Sequence, residues 1–493
     1  MQRCLTTILF SASLTLAASA AAAEQDLAEM SAGQAARAIA SGDTTSAALV
    51  ETLLERIAAA KSGNAFIAID AQGAREGARD ADAAMARGEA AGPLHGVPIV
   101  IKDNIATSGL ATTAGTPALK GWTPETDAPV VARLRAAGAL VLGKTNLHEL
   151  AFGITSNNAG FGAVANAYDP SRFAGGSSGG TAAAIGGRLA PAGLGTDTGG
   201  SARIPAALNG IAGFRPSSGR YPQAGIVPIS HTRDTAGPMA RTVADIVLLD
   251  GIITETPTAL EPALPAGIRI GVPAAFHTDL DPETRRLAQA ALDAMEAAGV
   301  TLVPLDMAAV TELNNRIGFP IALWEAKRDL AAFLAEHGTD RDLAAVADEI
   351  ASPDVRFVFD ELILGDKAIP DAVYQDAIGN GRPRLQALYA ETFARHDLDA
   401  IAFPTTPLPA QPIEGSDETV MLNGKPAPTF PTFIRNTDPG SNAGIPGISL
   451  PAGLTRDGLP VGLELDGPAF SDRHLLAIAL AVEAMLPATP APR

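Results

Sequence analysis

Cysteine is nearly absent from this sequence: of its 493 residues only Cys4 is one. That excludes a disulfide framework, and past the first few residues it also excludes thiolate catalysis and cysteine-ligated metals. Aromatic residues make up only 4% of the chain, too few for a base-stacking platform. Basic residues are outnumbered 36 to 54, giving a net charge of −18. Such a surface repels phosphate backbones and anionic lipid, so no nucleic-acid partner is expected. No apolar run reaches the ~18 residues that cross a bilayer. Hydrophobic residues nevertheless reach 47% and charged residues only 18%, so the chain has ample material for a core.

Residues 1–23 read as a signal peptide. Arg3 precedes an apolar stretch from Leu5 to Ala18, and Ala21-Ala22-Ala23 offers a small-residue cleavage site after Ala23. A membrane anchor is the competing reading, but ~14 apolar residues are short for a span. The expectation is a periplasmic or secreted protein that leaves the membrane once the signal is cleaved.

Residues 24–493 read as one α/β body, with no internal repeat or long linker. Residues 24–85 look helical, with Leu49, Leu53, Leu54 and Ile57 on one face. Strands are expected at 97–101, 139–143, 301–304 and 459–465. Helices are expected at 130–137, 181–189, 282–298 and 473–485. Pro-rich loops are expected at 403–413 and 426–453.

Three segments could carry chemistry. Gly175-Gly176-Ser177-Ser178-Gly179-Gly180-Thr181 precedes a helical Ala run, where backbone N–H groups can hold an anion or aim a hydroxyl. It contains G-x-S-x-G, which would make Ser177 the nucleophile of a hydrolase elbow served by a downstream histidine. Gly195-Thr196-Asp197-Thr198-Gly199-Gly200-Ser201 offers successive N–H groups, Thr198 to Ser201, beside the Ser201 hydroxyl. Its Asp-Thr-Gly is not an aspartic-protease site, because the second copy, Asp234-Thr235-Ala236, lacks the glycine. Lys102 ends the apolar run Val97–Ile101. It is either a solvated surface charge or a desolvated base whose pKa falls from ~10.4 to near ~7.5. His148-Glu149 lacks the second histidine of a zincin, and the seven histidines otherwise read as structural or surface groups.

Together these segments resemble the amidase signature family. The spacings agree, 75 residues from Lys102 to Ser177 and 24 from Ser177 to Ser201. The likeness runs from about residue 25 to 486 and includes Pro404-Thr405-Thr406-Pro407 and Gly458–Leu463. It implies a central mixed, twisted β-sheet flanked on both sides by helices, often in a homodimer. By position the family's triad falls on Lys102, Ser177 and Ser201, with Ser201 as nucleophile and Ser177, after a cis peptide bond, as bridge to the lysine. Ser178 would support the lysine, Thr198, Gly199, Gly200 and Ser201 would form the oxyanion hole, and Asp197 and Arg203 would brace the site. No metal or cofactor is implied, and the partner is a small amide.

Residues 156–162 and 225–235 look most like the mandelamide and indoleacetamide hydrolases of that family. The expected reaction is hydrolysis of aryl or arylacetamide-type amides to acid and ammonia or amine. Peptide amidase and aryl-acylamide or carbamate hydrolysis are alternatives with the same triad. An exported solute-binding protein is a remote one, having no use for two serine turns and a buried lysine. Ala202 departs from the bulkier residue common in the family, which is expected to widen the pocket.

Overall fold

The computed structural model describes residues 26–60, 63–89 and 92–492. The signal peptide read at 1–23 lies outside them.

Eleven strands form one mixed sheet. From one edge to the other they run Phe66–Ile69, Leu140–Thr145, Pro98–Lys102, Ala192–Asp197, Thr235–Ala240, Ala212–Arg215, Gly447–Leu454, Pro460–Asp466, Ala400–Pro404, Arg269–Pro273 and Thr301–Leu305. Pro98–Lys102 pairs in parallel with both of its neighbours, while Ala192–Asp197 and Thr235–Ala240 are antiparallel. Side chains of a strand point alternately to the two faces, yet every residue of Pro98–Lys102, Ala192–Asp197 and Pro460–Asp466 is buried. Both faces of the sheet centre are therefore covered. That explains why these strands read as apolar or small-residue runs rather than as alternating ones.

Helices follow the sequence closely where caps are explicit. Asp281 accepts from Glu283 and Thr284 N–H ahead of Pro282–Ala297, and Gly138 (φ +96°) ends the turn after Pro129–Ala136. Two stretches depart from the reading, the second of which also holds the short helices Thr429–Ile434 and Asp438–Ala443. Within the segment expected to be helical, Phe66–Ile69 pairs antiparallel with Leu140–Thr145, a tertiary pairing that overrides a short ambiguous apolar run. The expected loop at 426–453 contains Gly447–Leu454, a central strand disguised by Pro451. The proline is tolerated because its partner Gly462 turns its backbone carbonyl to Thr405 on the other side, and the pairing with Ala212–Arg215 ends at Ser449, so no ladder bond needs the missing N–H.

A 29-residue helix, Ala308–Glu336, carries Pro320 inside it. It supplies one wall of the cavity described next.

Candidate active site

Lys102 is the last residue of its strand and is fully buried. Its Nζ lies 2.8 Å from Ser177 Oγ and 2.7 Å from Thr196 Oγ1. The Lys102 and Thr196 strands are adjacent and parallel, with Val100 opposite Gly193 and Ile101 opposite Leu194. Strand pairing thus brings the two side chains together. Burial lowers the lysine's pKa from 10.5 to about 7, against the opposing pull of Asp197 and Asp234. Both partners of the amine are hydroxyls, which suits a neutral amine better than an ammonium with three donors to satisfy.

The Gly/Ser turn owes its glycines to close packing. A Cβ on Gly179 would sit 2.4 Å from Ser156 Oγ, and one on Gly180 would sit 2.4 Å from the carbonyl oxygens of Ala65 and Asn146. Ser156 holds this turn from the far side. Its Oγ donates to Gly175 O at 2.8 Å and accepts from Gly179 N–H at 3.2 Å. The Gly176–Ser177 peptide is cis, and Ser177 O accepts from His148 N–H at 3.1 Å. The Ser177 hydroxyl meets a lysine rather than the histidine that an elbow reading requires.

Ser178 is in the cluster but does not touch the lysine. Its Oγ donates to Thr196 O at 3.1 Å and accepts from Thr196 N–H at 3.2 Å, while its own N–H donates to Ser201 O at 3.1 Å. The serine therefore ties the two turns together and positions Thr196, the residue that does meet Lys102.

Asp197 and Arg203 lie fully buried beneath the second turn. Asp197 receives Arg203 Nε at 3.0 Å and Arg215 at 3.1 Å. Burial pushes its carboxyl up, and the two guanidiniums overcome that and hold it well below the usual carboxylate range. Asp197 also accepts the Gly200 N–H at 2.9 Å. That amide is thus engaged, and among the described residues Thr198, Gly199 and Ser201 are the members of the turn whose N–H groups find no protein acceptor. Asp234 is separate from Asp197. It accepts the Thr198 hydroxyl at 2.5 Å and the N–H groups of Ile229 and Ser230, and burial raises its pKa to about 6.

Ser201 opens onto a cavity of about 890 Å³ whose wall includes Thr198, Gly199, Phe152, Phe319, Phe357 and Phe430. Ala202 is fully buried and is not part of that wall. It faces the Thr235–Ala240 strand, where a Cβ on Gly237 would lie 2.7 Å from its own. The small residue there fits sheet packing rather than enlarging the pocket. Sequence reasoning missed Thr196, Ser156 and His148. The Gly-rich spacing around Ser177 shows that something must approach closely, but not which residue does.

The large mixed sheet with its helices is the architecture of amidase-signature enzymes. A family model described as Amidase matches residues 48–476. The chain belongs to this family and is a hydrolase acting on amides. It is 47% identical over 436 residues to an indoleacetamide hydrolase of Agrobacterium vitis, covering 88% of this chain and 92% of that one. It is 44% identical over 466 residues to a mandelamide hydrolase of Pseudomonas putida, covering 91% and 90%. Among solved structures, an amidase superimposes with a TM-score of 0.82 at 37% identity, covering 93% of this chain and all of that one. The peptide amidase of Stenotrophomonas maltophilia gives 0.79 at 30% identity, covering 94% and 98%.

Proposed function

We propose that this enzyme hydrolyses small aryl or arylacetamide-type amides to the carboxylic acid and ammonia or amine, using Lys102, Ser177 and Ser201 as its proton-transfer and nucleophilic groups. The observation that carries the reading is the fully buried Lys102 amine, 2.8 Å from Ser177 Oγ, next to a turn whose Ser201 faces a large aromatic-walled cavity. The names of the two relatives, indoleacetamide and mandelamide hydrolase, support an aryl-bearing substrate.

The amine with its pKa near 7 takes the Ser177 proton as Ser177 takes that of Ser201. Ser201 Oγ forms a bond to the amide carbon, and the carbonyl oxygen becomes an oxyanion received by N–H groups of the Thr198–Ser201 turn. The free amides of Thr198, Gly199 and Ser201 are the available donors, while Gly200 serves by fixing the turn to Asp197. The proton returns through Ser177 to the leaving nitrogen, the C–N bond breaks, and an ester on Ser201 remains. Water then repeats the sequence: its proton passes to Lys102, its oxygen attacks the ester carbon, and Ser201 recovers its proton as the acid departs.

Ammonia release measured against indoleacetamide, mandelamide, a C-terminally amidated dipeptide, an anilide and ethyl carbamate separates this reading from its same-triad alternatives. The arylacetamides are expected to lead. Ser201→Ala should lower turnover ~10⁴-fold, and near-wild-type rates in that variant would remove Ser201 from the mechanism.

A further inference from the structure

Charge around the cavity is one-sided. Its wall carries Arg233, Asp354, Asp417, Glu418 and Asp438. Arg233, the one cation among the described lining residues, is occupied within the protein. It contacts Asp438, Thr198 O at 3.2 Å and Gly318 O at 2.9 Å. The other oxygen of Asp438 accepts from Asn314 Nδ2 at 2.6 Å.

Three carboxylates, Asp354, Asp417 and Glu418, have no lysine or arginine partner among the described residues. Asp417 and Glu418 are exposed, so solvent and salt screen them. Asp354 is half-buried, and its Oδ2 is fixed 2.8 Å from His148 Nε2. His148 Nδ1 accepts the Ser156 N–H at 3.2 Å, which leaves Nε2 as the nitrogen that donates to Asp354. The imidazole thereby fixes the direction in which Asp354 points. Through its own main-chain N–H, the same histidine holds Ser177 O, which ties the carboxylate's position to the reacting end of the cavity.

Four phenylalanines, Phe152, Phe319, Phe357 and Phe430, share the wall with aliphatic side chains such as Ile229, Leu323 and Ile434. Phe319 and Phe357 remain 46% and 55% exposed, far more than rings of a closed core. Aromatic faces beside carboxylates that lack counter-ions form a surface that welcomes ammonium or N–H groups and repels anions.

We propose that the cavity reads the charge of the acyl portion. It favours amides whose acyl end carries a hydrogen-bond donor or a positive charge, it turns away those bearing a carboxylate, and Asp354 is the residue that makes the distinction. This deepens the reading of Ser201 as the point of attack, which places the acyl group in the cavity. It also weakens retention of the product, because hydrolysis creates a carboxylate beside a wall that already carries acidic side chains.

Binding to the Ser201→Ala protein tests the charge preference without any turnover. Titration calorimetry with 4-(aminomethyl)phenylacetamide and 4-(carboxymethyl)phenylacetamide should show the cation binding at least tenfold more tightly, with the gap shrinking as NaCl is raised. Adding Asp354→Asn, which keeps an acceptor for His148 Nε2–H, should narrow the gap threefold or more. Equal affinities for cation and anion would overturn the proposal, and an undiminished gap in the Asn variant would overturn the role of Asp354. Ammonia release from phenylacetamide by the unmodified enzyme tests the amidase reading separately, so the two can fail independently.

Discussion

Replacing Thr196 with Val removes one hydroxyl from the lysine's surroundings and preserves side-chain shape. Thr196 Oγ1 lies 2.7 Å from Lys102 Nζ and 3.1 Å from Asn104 Nδ2, and Ser177 Oγ is the amine's other partner. In the ammonium form, the lost hydrogen bond is charge-assisted and contributes about 1.5–3 kcal/mol, against about 0.5–1.5 kcal/mol in the neutral form. The difference, about 1–1.5 kcal/mol, corresponds to about one pKa unit. The lysine should therefore fall from about 7 to about 6. The acid limb of kcat/KM, which reports the free enzyme's base, should move down by the same amount. At pH 6 the share of enzyme with a neutral amine rises from about a tenth to about a half, while the alkaline plateau drops because the amine has lost a positioning contact. Stopped-time ammonia assays between pH 5 and 9 give both quantities. A midpoint that stays in place, or moves upward, refutes the reasoning, because it would mean that Thr196 donates to the neutral amine instead of accepting from the ammonium.

Lys102→Met should be folded and inactive, and at pH 6 it should resist urea better than the wild type by on the order of 3 kcal/mol. The sign follows from burial lowering the lysine's pKa to about 7: between there and 10.5 the unfolded chain holds a proton that the folded one lacks. Wild-type stability therefore rises with pH across that window and bears the full penalty below it, so the advantage of the Met variant should fade by pH 10. A wild type more stable than the variant at pH 6 would contradict this. Ser156→Ala leaves Gly175 O and Gly179 N–H without their partner. It should slow turnover about tenfold through misplacement of Ser177 while leaving the acid-limb midpoint near 7, since the contacts of Lys102 are untouched. A shifted midpoint in that variant would show that Ser156 acts on the lysine's charge as well as on the loop.

The sequence made the segments that cluster around Lys102 legible because their composition leaves local marks. An apolar strand ending in Lys102 and two Gly-rich turns at fixed spacing are unusual in an Ala-rich chain. The residues that complete the cluster leave no such mark. Thr196 is one hydroxyl among several in its turn, and only the parallel pairing with Pro98–Lys102 selects it. Ser156 and His148 lie outside the Gly-rich segment and reach it through tertiary packing. The cavity wall draws on segments near 152, 229, 319, 354, 418 and 430, which no sequence period connects. The strand Gly447–Leu454 is hidden by Pro451, whose tolerance depends on where its neighbours' pairing ends, which is visible only once they are in place.

Because Lys102 and Thr196 stand on neighbouring rungs of one buried ladder, their separation is inherited from the spacing between strands rather than from any loop. The segments that line the cavity, around 318–323, 353–358 and 415–434, belong to helices and a hairpin away from that ladder. Combinatorial libraries confined to those stretches can redraw what is admitted and leave the bond-breaking apparatus in register, so a change of diet in this scaffold does not require a change of engine.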